Sequence, residues 1–182
     1  MFNDVRSKKI VFVCHCVLNQ NSISDGTADF PGTNEEIVKR LMEAKVGVVQ
    51  MPCPELMCLG LDRGDIKGAE RPVVVENTRI RKELLKDEQL QTIDRLVENT
   101  VYQIEEYLKH GFQISGVVGI NRSPSCGVNT TSENDEEVVG EGIFIKALRT
   151  SLKNRNIELN IVGIKSSKMD EAIESIDTLL NA

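Results

Sequence analysis

The sequence contains no tryptophan and few other aromatic residues, so its core must be built mainly from aliphatic side chains. No apolar run approaches the roughly 20 residues that a membrane-spanning helix requires. The N-terminal segment leads into a short apolar run without a small-residue cleavage site, and no Pro/Gly/Ser-rich linker divides the chain. These absences predict one domain over residues 1–182, located in the cytoplasm.

The sequence has no excess of positive charge: it contains 22 Lys and Arg residues and 28 Asp and Glu residues, for a net charge of −6. Affinity for a phosphate backbone comes mainly from clustered basic side chains. We therefore expect a small-molecule partner, with neither a nucleic-acid polymer nor a membrane as partner. Composition leaves the oligomeric state open, with a homo-oligomer among the options.

Four short segments rich in Val and Ile show little alternation of apolar and polar residues, which is typical of parallel strands covered on both faces. They lie at 9–14, 46–51, 114–120 and 159–164. Helical spacing of apolar residues appears at 35–44, 87–110, 141–154 and 170–181. Alternating strands and helices predict a single three-layer α/β/α domain with a mostly parallel, Rossmann-like open sheet.

Two details of this pattern carry further expectations. Thr33 and Glu36 have the spacing of a capping box, which predicts that Thr33 caps the first long helix. The acidic run at 132–142 is interpreted as a solvated loop.

The chain has five cysteines, an odd number in a compartment that disfavours disulfides, so metal or catalytic roles gain weight. A His-Cys pair after a strand is typical of the phosphate loop of cysteine phosphatases. That loop needs an arginine six residues after the cysteine, and Ser22 stands there instead. The sequence also lacks the C-x-x-C pairs that are usual in structural zinc sites.

The cysteines follow three different predicted strands. Cys16 follows the first, Cys53 the second and Cys126 the third. Since the carboxyl ends of parallel strands meet at one edge of a sheet, we expect the three thiols to converge there. Cys14 ends its strand and is interpreted as a core or supporting residue, and Cys58 is an alternative to Cys53 in the second loop. Three isolated thiolates suit an iron–sulfur cluster with one open iron better than a zinc site.

Three short motifs make the sequence similar to the thiouracil-desulfidase-like family. They are Cys16-Val17-Leu18-Asn19, "PCPE" at 52–55 and "SPSCG" at 123–127, in this order and each after a strand. The resemblance departs from the usual pattern after the first cysteine, where only Asp25-Gly26 is kept, and after "CPE", where "LMCLGLDRG" stands.

The resemblance implies a [4Fe-4S] cluster held by Cys16, Cys53 and Cys126, and non-redox hydrolytic removal of sulfur, as hydrosulfide, from a thiocarbonyl small molecule such as a thiolated nucleobase. It implies catalytic roles for Glu55 and Ser123. The candidate substrate-binding residues are Asn19, Asn21, Arg63, the nearest basic residue to the family's arginine, and Ser125, the alternative serine.

Two other classes of function stay open from the residues. One is a non-catalytic iron–sulfur or zinc protein that acts as a redox sensor or cluster carrier. The other is a sulfurtransferase that carries a persulfide on Cys16.

Overall fold

The computed structural model describes residues 2–181. Over this range the chain forms six strands: β1 (Lys9–Val13), β2 (Gly47–Gln50), β3 (Gln113–Ile120), β4 (Thr130–Glu133), β5 (Glu136–Val139) and β6 (Ile161–Ile164). The α-helices in it are α1 (His15–Leu18), α2 (Glu35–Glu43), α3 (Pro54–Leu59), α4 (Val73–Leu84), α5 (Asp87–Lys109), α6 (Ile143–Asn154) and α7 (Met169–Asn181). Short 3-10 turns lie at Gln20–Ser22, Gly68–Glu70 and Ser166–Lys168.

Four strands form a parallel sheet in the order β2-β1-β3-β6, which confirms the predicted fold class. Four of the five residues of β1 are buried, so both of its faces are covered, as its unbroken apolar sequence predicts. Helix α7 packs against α2, β3 and β6, while α5 packs against α6 and β3. The sheet therefore lies between two layers of helices.

The strand order creates a crevice at one edge of the sheet. Strand β1 lies between β2 and β3. The chain passes from β1 to β2 on one side and then returns to β3 on the other side of β1. In open parallel sheets a ligand crevice forms where the strand order reverses in this way, beyond the carboxyl ends of the strands. Here that point lies beyond the ends of β1 and β3, which lead into the first and third cysteine loops.

The structure corrects three expectations. The segment read as a solvated acidic loop contains β5 and pairs with β4 in an antiparallel hairpin. Two long helices, α4 and α5, connect the second and third strands of the chain, where the sequence predicted only the one at 87–110. The cap of α2 is Asn34, whose side chain accepts a hydrogen bond from the amide of Ile37, while Thr33 donates its hydroxyl to the carbonyl of Val17.

Within residues 2–181, none of the helices has the length and apolar character needed to cross a membrane.

Candidate functional site

The first strand delivers two thiols to the crevice. Cys14 directly follows β1 and is 1% exposed, and its amide donates to the carbonyl of Val118 at 2.9 Å, so it extends the pairing with β3. Cys16 lies in α1 and is half-buried. The buried side chain of Gln20 donates to the carbonyl of Cys16 at 2.8 Å and accepts from the amide of Asp29. This glutamine therefore fixes the first cysteine loop.

The "PCPE" motif is the start of helix α3. Cys53 is the N-cap, and its sulfur accepts a hydrogen bond from the amide of Leu56 at 3.5 Å. Pro54 occupies the first turn, where its missing N–H costs nothing and its fixed φ suits the helix. Glu55 places a carboxylate in the same turn, where the helix dipole favours negative charge. One helix start thus presents a thiol and a carboxylate to the same crevice.

The "SPSCG" motif is a tight loop after β3. The hydroxyl oxygen of Ser123 accepts from the amides of Cys126 at 2.9 Å and Ser125 at 3.3 Å. Gly142 packs against this loop so closely that a Cβ there would lie 2.4 Å from the carbonyl carbon of Ser125. The loop is therefore held both by its own serine and by the start of α6.

Four of the five cysteines form one group. Burial raises the pKa of the Cys16 thiol well above 9.0, and the nearby thiols of Cys126 and Cys53 raise it further. Burial, with Glu55 and Cys126 adding to it, raises the pKa of Cys53 to about 12. The pKa of Cys14 is raised well above its ordinary value, first by a hydrogen bond with the Cys126 thiol and then by burial. The three loops thus bring their thiols together, as the parallel sheet predicted.

The fifth cysteine, Cys58, faces a different neighbour. It lies farther along α3, and its thiol is 3.8 Å from the carbonyl oxygen of Gln89 in α5. Burial raises its pKa to about 11. Its position favours Cys53 as the thiol that the second loop contributes to the group.

The carboxylate of Glu55 is the centre of the polar network in the site, and Glu55 as a whole residue is 7% exposed. Its Oε1 atom accepts from the hydroxyls of Ser125 at 2.7 Å and Ser123 at 3.3 Å. Its Oε2 atom accepts from the hydroxyl of Ser24 at 3.2 Å and from Nε of Arg63 at 3.1 Å. Both oxygens are therefore oriented by partners from three separate loops.

A cavity of about 300 Å³ opens onto this network. Its wall includes Cys16, Glu55 and Ser123, together with polar side chains such as Gln20, Asn77 and Lys165. Larger surface depressions lie along α7 and at the start of β3 and β6, but neither of these two has a thiol in its wall. The volume of the cavity at Cys16 is at the lower end of the range for small-molecule pockets.

The residues considered for substrate binding lie in different places. Asn19 caps the 3-10 turn at 20–22 by accepting from the amide of Asn21, and Asn21 itself is exposed. Ser125 is 1% exposed beside Glu55, and Arg63 is 2% exposed and contacts Oε2 of that carboxylate. The guanidinium of Arg63 forms its hydrogen bonds with other groups of the protein, and the side chain of Asn19 closes its own turn.

Sequence reasoning missed Ser24, which adds a fourth partner to Glu55. It lies 31 residues earlier in the chain, and its only signal was its position directly before the retained Asp25-Gly26.

The donor set suits anionic sulfur ligands. The sulfur of Cys53 faces the amide of Leu56 and, at 3.9 Å, Nη2 of Arg63, while the hydroxyl of Ser125 lies 3.5 Å from the sulfur of Cys126. Hydrogen-bond donors of this kind tune cysteine ligands of iron–sulfur clusters. All five cysteines are free thiols.

The part of the chain that the structure describes has no group of three His, Cys, Asp or Glu side chains placed to hold one metal ion. A cluster makes a different demand, because its cysteines bind separate irons and their sulfurs need not meet at one point. The three converging thiols therefore fit a cluster in their chemistry.

Comparison with known proteins finds no family model that matches the chain. The uncharacterized protein MJ0003 of Methanocaldococcus jannaschii is 31% identical over 149 residues, which cover 79% of this chain and 86% of MJ0003. The chain belongs to the MJ0003 family. Among solved structures, this MJ0003-family chain is similar to the [4Fe-4S]-dependent thiouracil desulfidase TudS, at 17% identity and a TM-score of 0.47, over 93% of this chain and 99% of TudS.

Proposed function

We propose that the protein is an iron–sulfur-dependent desulfidase that removes sulfur as hydrosulfide from a thiocarbonyl small molecule, such as a thiolated nucleobase. The observation that carries this proposal is the cavity wall, which Cys16 forms together with Glu55 and Ser123, while the thiols of Cys53 and Cys126 are near enough to raise the pKa of Cys16. The three sequence motifs support it independently. Each motif supplies one cysteine, and two of them also supply the carboxylate and the hydroxyl.

Cys16, Cys53 and Cys126 would hold a [4Fe-4S] cluster. When bound, such a cluster supplies a Lewis-acidic iron with an affinity for soft sulfur atoms, which polarises a C=S bond. The thiols must lose their protons to bind iron, so assembly of the site releases protons. The amide of Leu56 and Nη2 of Arg63, which face the sulfur of Cys53, stabilise this ligand in its anionic form.

Glu55 is the proposed general base for the attacking water. Its Oε2 is fixed by Arg63 and Ser24, and its Oε1 lies at the serine pair beside the cavity. A carboxylate must lie within hydrogen-bond reach of the proton that it removes, and Glu55 is part of the cavity wall. The overall reaction consumes one water and replaces C=S by C=O, so that sulfur leaves as hydrosulfide and no electrons are exchanged.

Ser123 is the proposed hydroxyl group that orients the reactants. Because its oxygen already accepts from two backbone amides, its O–H is free to point either to Glu55 or to a group in the cavity. Ser125, which is buried and 2.7 Å from the carboxylate, supports Glu55 from within the loop.

The test begins with anaerobic purification and reconstitution with iron and sulfide. A brown protein with about four irons and four sulfides per chain supports the cluster. Such a protein should release sulfide from 2-thiouracil or a thionucleoside. Stoichiometric zinc in a colourless protein would exclude the proposal, and a stable persulfide on Cys16 without iron would favour the sulfurtransferase instead.

Matched serine variants test the ligand assignment. Cys16→Ser, Cys53→Ser and Cys126→Ser should each lose iron, colour and sulfide release. Cys58→Ser is the control for Cys53→Ser, since it lies on the same helix but faces Gln89, and it should keep all three. If Cys58→Ser is colourless and Cys53→Ser is brown, the assignment in the second loop is wrong.

A further inference from the structure

Arg63 is among the most buried polar residues of the protein, and its guanidinium contacts several groups of the site. Its side chain is 2% exposed. Nε donates to Oε2 of Glu55 at 3.1 Å, and Nη2 lies 3.9 Å from the sulfur of Cys53. The remaining N–H groups donate to the carbonyl oxygens of Ser22, Gly60 and Leu61.

The backbone of Arg63 indicates that the residue is held in place by its side chain. Its φ is +56°, in the left-handed region that residues with a Cβ rarely occupy. Such a conformation persists where the surrounding contacts determine it, and these positions concentrate at functional sites. The guanidinium contacts hold Arg63 in this conformation, because they join it to the first cysteine loop, the second cysteine loop and the carboxylate of Glu55.

Arg63 contacts Oε2 of Glu55 but is not part of the wall of the cavity that Cys16 and Glu55 line. It lines a separate depression of about 460 Å³ with Asp65, Ile66 and Glu76, and Ser24 lies in the wall between the two. A substrate in the cavity at Cys16 therefore meets Glu55, while Arg63 lies outside the cavity wall.

We propose that Arg63 is the positioning residue of the site, and this inference rests on the proposed desulfidase function. It fixes Oε2 of Glu55 so that Oε1 is presented to the serine pair, and it places a positive charge and an N–H donor next to the sulfur of Cys53. A single side chain thus orients the general base and neutralises charge on the cluster ligands, without contact to the substrate.

Two effects follow from this geometry. Loss of the guanidinium should lower kcat rather than raise KM, because a misplaced catalytic group costs about 100-fold in rate while the substrate contacts remain. It should also make the reduction potential of the bound cluster more negative, because positive charge and hydrogen bonds to the sulfurs favour the reduced, more negative state.

The test compares Arg63→Gly and Arg63→Lys with Arg79→Lys. Glycine adopts a φ of +56° without strain, so Arg63→Gly removes the guanidinium without opposing the backbone. Arg63→Lys keeps the charge but cannot span the carboxylate, the sulfur and the three carbonyls. Arg79→Lys is the control. Arg79 donates to the carbonyl oxygen of Arg63 and to Glu76, so this substitution perturbs the same loop from outside the site.

For each reconstituted variant, kcat, KM and the midpoint potential of the cluster are measured anaerobically. We expect Arg63→Gly to lose about 100-fold in kcat with a KM within about threefold of the wild type, and to show a more negative potential. In Arg63→Lys, kcat should fall while the midpoint potential stays closer to the wild-type value than in Arg63→Gly. Arg79→Lys should match the wild type in kcat and in midpoint potential.

A raised KM with unchanged kcat and potential in Arg63→Gly would assign Arg63 to substrate binding and overturn the inference. Wild-type values of all three quantities would overturn it as well. Wild-type protein that binds no cluster or releases no sulfide contradicts the proposed function itself, so the two failures are distinguishable.

Discussion

Removing the carboxylate of Glu55 while Arg63 stays in place should cost the iron-free protein much of its stability. The two side chains form an ion pair of 3.1 Å and are 10% and 2% exposed, respectively. In Glu55→Ala the guanidinium remains buried among carbonyl oxygens and a thiol, without a counter-charge. Breaking a buried pair by removing one partner costs about 3–5 kcal/mol.

This cost can be converted to a melting temperature. For a chain of this length, 1 kcal/mol corresponds to about 2–4 °C, so Tm should fall by about 6–20 °C. The control is Glu141→Ala, which removes the partner of Arg149 in an ion pair of 2.6 Å whose arginine is 47% exposed. Such surface pairs contribute about 0–1 kcal/mol, so the control should lose at most about 4 °C.

Calorimetric unfolding of the reduced, iron-free variants under argon checks both values. The double variant Glu55→Ala/Arg63→Gly should be more stable than the sum of the single effects predicts, because replacing both partners avoids the unpaired buried charge. If Glu55→Ala loses no more than the Glu141→Ala control, the pair is not the buried, mutually dependent contact described above, and the reasoning fails.

Three further predictions concern the supports of the site. Gly142→Ala should lower stability by about 1–3 kcal/mol and reduce iron per chain after reconstitution, because its Cβ would lie 2.4 Å from the backbone of Ser125, and an unchanged iron content would contradict this. The pKa of Glu76 is held below its ordinary 4.5 chiefly by the hydrogen bond from Arg79. The stability that the ionised Glu76 carboxylate contributes is therefore present above pH 4.5 and is lost as the pH falls through the lowered pKa. The stability difference between wild type and Glu76→Gln in urea should therefore shrink between pH 6 and pH 3, and a constant difference would refute the assignment. Asn34→Ala should cost about 1 kcal/mol in urea unfolding, because α2 loses its N-cap acceptor, whereas Asn34→Asp, which keeps an acceptor, should cost less.

The parallel strands could be predicted because their apolar sequences are nearly unbroken. Each predicted strand overlaps an observed one, with differences of one or two residues at the ends. The long helix was predicted at 87–110 and is observed as α5 at Asp87–Lys109, one residue shorter. Its apolar residues recur every three or four positions over six turns, and that periodicity is the strongest local signal a helix can have.

The helix α4 and the hairpin could not be predicted in the same way. Helix α4 begins with three valines and buries Glu76, Asn77 and Thr78, so it shows no clean apolar stripe. Arg71 pairs with Glu76, Ser132 accepts from Asn77, and the amide of Asp135 donates to Thr78. All three partners lie outside the helix, and two of them come from the hairpin more than 50 residues later. The hairpin buries Thr131 and Ser132 rather than apolar residues, so its strands show no apolar pattern. Its turn residues Asn134 and Asp135 both have positive φ angles, as tight hairpin turns require. In the sequence this Asn-Asp pair lies within an acidic run, which obscured it.

For the site, the sequence predicted the edge of the sheet at which the thiols meet, because the position of each thiol directly after a strand is local information and parallel strands end at the same edge. It also supplied Glu55 and Ser123 through short motifs, and the structure places both on the wall of the cavity. It left the choice between Cys53 and Cys58 open, since both follow the same strand and only the direction of α3 separates them.

What the sequence by itself determined is therefore the parallel α/β architecture and the convergence of three cysteine loops, since both follow from strand patterns and from residues next to strand ends. Only the tertiary structure decided the partners of the carboxylate. Ser24 and Arg63 reach Glu55 from loops that carry no periodic pattern, and the ion pair exists because folding buries both charges at the same point. Contacts of this kind depend on side-chain direction and burial, which spacing along the chain does not encode.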